Sequence, residues 1–417
     1  MSNNETKGNE QEHSVYIHKL TLSRHPYISD VCIDTKQKKK HIIITGKNGV
    51  GKSTLLNEIK SAVQVSQGDF KKHNLVSIRQ AYFEHLERYQ SETDPLIKRA
   101  LEPKLKSQLN NVTSKATFCD LDYNNQTAVD LLKGQAAIQA FFNAKRTTEF
   151  GTVESVGSTK ITPQEIDQPL SSKFKQHLVN SRSQFAFAQV DGEEEEAKNL
   201  NTWFTTLDEF MSDIFDEPVK LHFDRKALNY KIESQDGSQL DFNHLSEGYA
   251  AILNIVTEII MRMEAIEHGN FTLPGIVLID EIETHLHVQL QKKILRLLSK
   301  FFPNIQFIVT THSPFVLTSS EDAVIYDMET NSYIDAKEDL WQYSYEDIVE
   351  GYFDTESYSV ELENRIARLE ELAAKDSSSL SVKENKELLI LKSELQDVPT
   401  FKLADIELRL QALGLKK

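Results

Sequence analysis

One eight-residue stretch constrains the fold more than any other part of the chain. Gly46, Lys47, Asn48, Gly49, Val50, Gly51, Lys52 and Ser53 read G-x-x-x-x-G-K-S, directly after the β-rich run 41–45 and directly before a helical run, 54–64. Glycines at that spacing let the backbone curl so that successive N–H groups and a helix N-terminus face an anion. Lys52 then reaches the β and γ phosphates of a nucleotide, and Ser53 offers its hydroxyl to Mg²⁺. Gly46, Asn48, Gly49, Gly51, Lys52, Ser53 and Thr54 are therefore the candidate ATP-binding residues. The flanking strand and helix predict an α/β architecture with the phosphate site at a strand's C-terminal edge.

Two further stretches carry chemistry. Residues 276–279 are apolar and run into Asp280 and Glu281, which places two carboxylates at the end of a buried strand. Asp280 can hold the Mg²⁺ shell and Glu281 can polarise an attacking water as general base; the same pair after any strand could equally cap a helix. Leu245, Ser246, Glu247, Gly248 and Tyr249 stand before the helical run 250–264, where a serine and a close-approach glycine make a second anion site. Their position decides the matter. Ser246 precedes Asp280 by 34 residues, and His312 follows Glu281 by 31, at the end of the apolar run 307–310.

The ordered set GKNGVGKST, LSEGY, LIDEIETHLH and TTHSP resembles the ATPase heads of the ABC superfamily, in its SMC/RecF-like soluble branch. The resemblance implies an α/β P-loop head with a mixed central sheet, a helical lobe insertion and a C-terminal helical appendage. It implies that two copies close around two MgATP, with Ser246 and Gly248 acting on the nucleotide of the partner copy. By the same likeness His312 is the switch histidine beside the γ-phosphate, and Glu283 to His285 lie in the loop that crosses the dimer. The motifs cover roughly residues 14 to 65 and 240 to 330, and no motif matches the middle. LSEGY departs from the commoner LSGGQ at its third and fifth places, which leaves the roles of Glu247 and Tyr249 open. Gln139, or Lys145 and Arg146, are the candidates for the glutamine-loop position.

Size, the polar insertion, the LIDEIETHLH string and the helical tail are also similar to ATPases of Septu-type and retron-associated modules. That likeness implies an ATPase that controls a separate effector, an HNH-type nuclease, in anti-phage defence. A RecF-like DNA-binding ATPase of repair, and a scaffold whose oligomer ATP holds together, are the competing readings.

The rest of the chain bounds these. No apolar stretch approaches the ~20 residues needed to cross a bilayer, and residues 1–13 are polar with no apolar signal region, so a cytoplasmic protein without a membrane partner is expected. The two cysteines, Cys32 and Cys119, suggest neither a disulfide framework nor a zinc cluster. A net charge of −16 opposes a surface that binds nucleic acid everywhere, leaving local runs such as Lys36, Lys38, Lys39 and Lys40, Lys71 with Lys72, or Lys104 with Lys106. Three regions are expected: the tail 1–13, an ATPase domain 14–335 with its insert about 70–240, and a helical region 336–417. Within them the patterns predict strands at 16–22, 41–45, 115–123, 136–142, 220–223, 228–233, 239–242, 275–280 and 306–310. Helices are expected over 74–109, 170–215 with a break near 191–196, 288–302, and along the C-terminal region, including 403–413. His285 and His287, two apart with no third ligand, are read as loop contacts. Val349, Glu350, Gly351 and Asp354 only faintly resemble the first acidic motif of a TOPRIM nuclease, and no DxD follows, so no nuclease centre is expected there.

Overall fold

The computed structural model describes residues 14–67, 72–146, 150–157, 161–162, 166, 169–339, 360–375 and 380–396. The chain divides into two compact units, residues 1–343 and 344–417.

The first unit opens with β1 (Ile17–Leu22), β2 (Val31–Asp34) and β3 (His41–Thr45), followed by the glycine loop and α1 (Lys52–Gln67). The helices α2 (Lys72–Ser91) and α3 (Pro95–Lys115) come next, then β4 (Cys119–Tyr123), α4 (Gln126–Lys133) and β5 (Ile138–Phe142). The expected helix 74–109 is thus two. Asp94 caps α3 by accepting from the Leu96 amide at 2.8 Å, and Pro95 opens it, a pairing that starts one helix and stops the previous one. After the turn-rich stretch come α5 (Phe174–Asp191) and α6 (Glu194–Phe215), parted at Gly192, which takes the left-handed conformation with φ of 78°. A small antiparallel sheet follows, β6 (Val219–Asp224), β7 (Asn229–Ser234) and β8 (Gln239–Asp241), and delivers the chain to α7 (Glu247–Ile266). The unit is completed by β9 (Gly275–Ile279), α8 (Val288–Gln291), α9 (Ile294–Phe301), β10 (Ile305–Thr310), α10 (Pro314–Leu317), β11 (Ala323–Asp327), β12 (Ser332–Asp335) and α11 (Ala336–Asp339). The helix expected over 288–302 is likewise broken, at Lys292 and Lys293.

The central sheet has the order β12-β11-β3-β10-β9-β5, parallel throughout except for β12. Every residue of β3, β5, β9, β10 and β11 is buried, as continuous apolar runs covered on both faces require. A second, antiparallel sheet, β2-β1-β4, stands beside it. Gln306, a buried polar residue of β10, ties the two sheets. Its side-chain amide donates to the carbonyls of Ile17 at 2.9 Å and Lys40 at 2.8 Å, and its carbonyl accepts from the Ile17 amide at 2.8 Å. A buried amide satisfied this fully fixes sheet position at little cost.

The second unit contains α12 (Val360–Ala374) and α13 (Val382–Gln396). Ile366, Leu369 and Leu372 of the expected apolar stripe are buried, with Leu391 and Leu395. Arg368 pairs with Glu387 at 3.0 Å across the two helices. The helix expected at 403–413, the tail 1–13 and the acidic positions 349–354 lie outside the described residues. Among the described residues no helix is long and apolar enough to cross a membrane.

Candidate nucleotide site

The loop between β3 and α1 takes the conformation its glycines permit. Gly46, Gly49 and Gly51 all have positive φ, at 132°, 83° and 105°. At Gly51 a side chain is excluded twice over, because a Cβ would also lie 2.1 Å from Ile28 Cγ2. Lys52 is buried, and its ammonium donates to the carbonyls of Gly46 at 2.7 Å and Lys47 at 2.9 Å, so the cation sits inside the loop's own curve. Burial lowers its pKa, while Glu283, Glu281, Asp280 and Asp327 oppose that shift. Asn48, Gly49, Ser53 and Thr54 are exposed around the same loop and helix start.

β9 and β10 carry the acids to this loop. The Ser53 hydroxyl donates to Asp280 Oδ1 at 3.1 Å, and the Thr310 hydroxyl donates to the same oxygen at 2.5 Å. Thr310 Oγ1 also accepts from the Glu281 amide at 2.7 Å. One threonine at the end of β10 thus fixes both acids of β9. Two oxygen donors side by side, one hydroxyl and one carboxylate, suit a hard cation such as Mg²⁺.

Beyond Asp280 the backbone turns sharply. Glu281 has φ of 44° and His285 φ of 69°, conformations that bulky residues seldom adopt. The strain is held by Arg146, whose buried guanidinium donates to the carbonyls of Asp280 at 2.9 Å and Glu281 at 3.0 Å, with longer contacts to Ile282 and Thr284 at 3.3 and 3.4 Å. Burial pulls its pKa down to about 10 against the opposing pull of Glu283, Asp280 and Glu281. Gln139, the other glutamine-loop candidate, lies in mid-strand opposite Ile276, and its backbone carbonyl is taken by Arg262 at 2.6 Å.

Glu283 links the turn to the end of β10. Its carboxylate accepts from the His312 amide at 2.6 Å and from the Thr311 hydroxyl at 2.8 Å. The His312 ring is half-buried, and burial, then the nearby Lys52 charge, lowers its pKa against the opposing pull of Glu283, Glu281 and Asp280.

The opposite side of the turn meets α7. Ser246 is exposed at the N-cap, and its side chain makes no capping bond to its own helix. Gly248 is buried where a Cβ would come 2.9 Å from the His285 carbonyl, so the glycine is required by that approach. The two departures from the commoner signature have local explanations. Glu247 faces His285 Nδ1 at 3.2 Å, and Tyr249 stacks on Phe215 with ring centroids 4.4 Å apart. Of the basic residues singled out in the sequence, Lys39 donates to the Pro303 carbonyl, Lys40 pairs with Asp335 at 3.3 Å and Lys106 pairs with Glu102 at 2.9 Å.

Sequence reading missed Thr310, the tie on both acids, and named Arg146 as a glutamine-loop candidate without its role as a backbone clamp. Thr310 closes a predicted strand, and a hydroxyl at that point was a usable signal. Arg146 stands at the polar end of the predicted strand 136–142, but its bonds to carbonyls more than 130 positions away are not written in that stretch.

Residues 164–318 match the family described as "AAA domain, putative AbiEii toxin, Type IV TA system". The chain is 39% identical over 118 residues to the Retron Vc95 probable ATPase of Vibrio cholerae serotype O1 biovar El Tor, covering 26% of this chain and 21% of that one. It is 27% identical over 315 residues to the Septu protein PtuA of Bacillus mycoides (strain KBAB4), covering 74% of this chain and 40% of that one. The matched stretches therefore span less than half of either relative. Among solved structures, the SMC head domain from Thermotoga maritima is 14% identical with a TM-score of 0.36, covering 75% of this chain and 94% of that one. The glycine loop and the strand-end acids thus stand in a chain of which residues 164–318 match that family model and which is similar over part of its length to the retron Vc95 probable ATPase and the Septu protein PtuA.

Proposed function

We propose that this chain binds MgATP, hydrolyses it after two copies close face to face, and uses that cycle to control a separate effector in anti-phage defence. The observation that supports this best is the split character of the site. Lys52, Ser53, Asp280, Glu281 and His312 belong to one connected cluster, whereas Ser246 presents an exposed hydroxyl, unused by its own helix, at a helix start.

In this reading the glycine loop and α1 N-terminus grip the phosphates, with Lys52 leaving the Gly46 and Lys47 carbonyls to meet them. Ser53 and Asp280 would hold Mg²⁺, whose role is to neutralise phosphate charge. Glu281, fixed by Thr310 through its amide and by Arg146 through its carbonyl, orients and deprotonates water. His312 can donate one ring N–H toward the γ-phosphate position. The N-terminal end of α7, with Ser246 and Gly248, completes the partner copy's site, so closure follows nucleotide binding and opening follows hydrolysis. The names of the relatives, Septu PtuA and retron ATPases, support a defence role. An HNH-type nuclease encoded beside the chain is the effector class we expect.

The test separates binding from closure. Lys52→Ala should lose ATP binding, whereas Glu281→Gln should bind ATP and accumulate as a dimer in size-exclusion chromatography with multi-angle light scattering. A Glu281→Gln protein that remains monomeric at saturating ATP would refute the composite site. The defence role is read separately, as plaque counts on cells carrying the native operon with wild-type chain or Lys52→Ala; equal protection by both would refute it.

A further inference from the structure

The sequence draws attention to His285 and His287, yet the described residues that gather metal-type ligands lie elsewhere. His177 on α5, Glu264 in the last turn of α7 and His268 just beyond that helix bring one ligand atom each to within 4.8 Å of one another. His177 Nε2 stands 3.5 Å from Glu264 Oε2, and His268 Nδ1 stands 2.5 Å from the same oxygen. The trio lies outside the nucleotide site, with the His177 ring packed edge-on against Trp203 and His268. Glu264, whose side chain is only 1% exposed, is held by His268, the Trp203 indole and the Gly269 amide, so its carboxylate is fixed in place within the cluster.

We propose that His177, Glu264 and His268 form a site for a divalent transition metal of the Zn²⁺ class. The donor set, two imidazoles and one carboxylate, is one that zinc takes as three protein ligands with a fourth position left for water. A tetrahedral ion bonded at ~2.0–2.1 Å keeps its ligand atoms roughly 3.3 Å apart, so the His177–Glu264 spacing already fits. The His268–Glu264 contact has to open by less than an ångström. His268 is free to do so, because it lies outside the helix, between the extended Glu267 and Gly269 at φ of 77°, and is half-exposed.

The surroundings are arranged as a ligand shell needs. Glu264 Oε1 is occupied by the Trp203 indole N–H at 3.0 Å and the Gly269 amide at 3.2 Å, which aims Oε2 at the two imidazoles. A cavity of about 460 Å³ opens on all three residues, with Asn180 and Ser181 in its wall, giving an entry path and room for a coordinated water. Bound there, the ion would join α5 to the far end of the helix that begins beside Ser246, about 30 Å away along α7. Its occupancy can therefore be read independently of nucleotide.

The experiment uses the untagged full chain, stripped with chelator, dialysed free of it and titrated with Zn²⁺ or Co²⁺ alone in the absence of nucleotide. One equivalent should bind per chain, with the strong visible absorption of four-coordinate Co²⁺ and a raised melting temperature. His268→Ala and Glu264→Gln should each weaken binding by at least ~100-fold. His222→Ala, at an exposed histidine paired with Glu233, should not change it. X-ray absorption of the zinc-loaded wild-type chain needs no variant and should report two imidazoles in the first coordination sphere. No binding, binding unchanged in His268→Ala, or fewer than two imidazoles on the ion each overturns the proposal. None of these outcomes bears on ATP-driven closure.

Discussion

Replacing Arg146 by Met removes the guanidinium but keeps most of the side chain's apolar volume, and its consequence can be sized from the turn it holds. Glu281 sits at φ of 44°, a conformation that costs a non-glycine residue about 1–3 kcal/mol. Two hydrogen bonds from a charged donor, at 2.9 and 3.0 Å, oppose that cost at about 1.5–3 kcal/mol each, less the penalty of burying the charge. Without them the turn relaxes, and the strained conformer that aims Glu281 falls in population by roughly 5- to 150-fold, since 1.4 kcal/mol is a factor of ten. Steady-state phosphate release should show kcat lowered by that factor. KM for ATP should change little, because the phosphates are gripped by the glycine loop and Lys52, which Arg146 does not touch. Arg146→Lys should recover little of the loss, since one ammonium cannot bridge carbonyls from Asp280 to Thr284 as the planar guanidinium does. A variant with kcat within twofold of wild type would refute the clamp, and a loss carried mainly in KM would place Arg146 on the nucleotide instead.

Further outcomes follow from the same geometry. Ser246→Arg should leave ATP affinity in equilibrium dialysis unchanged and abolish turnover; retained hydrolysis would remove the role across the dimer assigned to this serine. Gly248→Ala puts a methyl 2.9 Å from the His285 carbonyl, so the turn or the helix start must shift, at about 1–3 kcal/mol, and turnover should fall while nucleotide binding persists. His41 and His177 are buried with pKa values held down to about 4, so the folded state stays neutral where the unfolded chain takes protons near 6.5. Their stabilisation is complete above that value and is lost as pH falls toward 4, by about 1.4 kcal/mol per pH unit for each. Urea unfolding at pH 7 and pH 5 measures it, and a pH dependence unaltered in His177→Gln would show that this histidine does not contribute.

The parts of the fold that were legible in the sequence are those whose signal is local. The glycine loop, the apolar runs of β3, β9 and β10 and the hairpin of β6 and β7 are each written in consecutive residues, and the structure has them within a residue or two. The strands β2, β11 and β12 went unread: β2 and β12 have only four residues each, whereas β11, five residues long like β3 and β9, carries an apolar run that could have been seen. The breaks at Asp94 and at Lys292 were missed for opposite reasons. The first carries a capping residue and a proline that could have been seen, whereas the second has no breaker at all. Arg146, Thr310 and the His177–Glu264–His268 trio are long-range facts, joining residues 29 to 138 positions apart or brought together by separate helices, and no window along the chain contains them.

The turn from Glu281 to His287 is where the two halves of the proposed cycle meet. On one side Thr310, Arg146 and the Glu283 contacts to Thr311 and His312 fix it to the ends of β9 and β10. On the other, the His285 carbonyl fills the space a side chain at position 248 would need, and the His285 ring faces Glu247. The α7 N-terminus and the turn thus lie against each other at Gly248, where the His285 carbonyl occupies the space a Cβ would need. The substitutions LSEGY makes in the commoner signature fit this, since glutamate supplies a partner for His285 that a glycine could not. In the proposed cycle this one strained turn, held by Arg146 on one face and lying against the α7 start on the other, is the shortest path by which the state of the α7 N-terminus would reach Glu281.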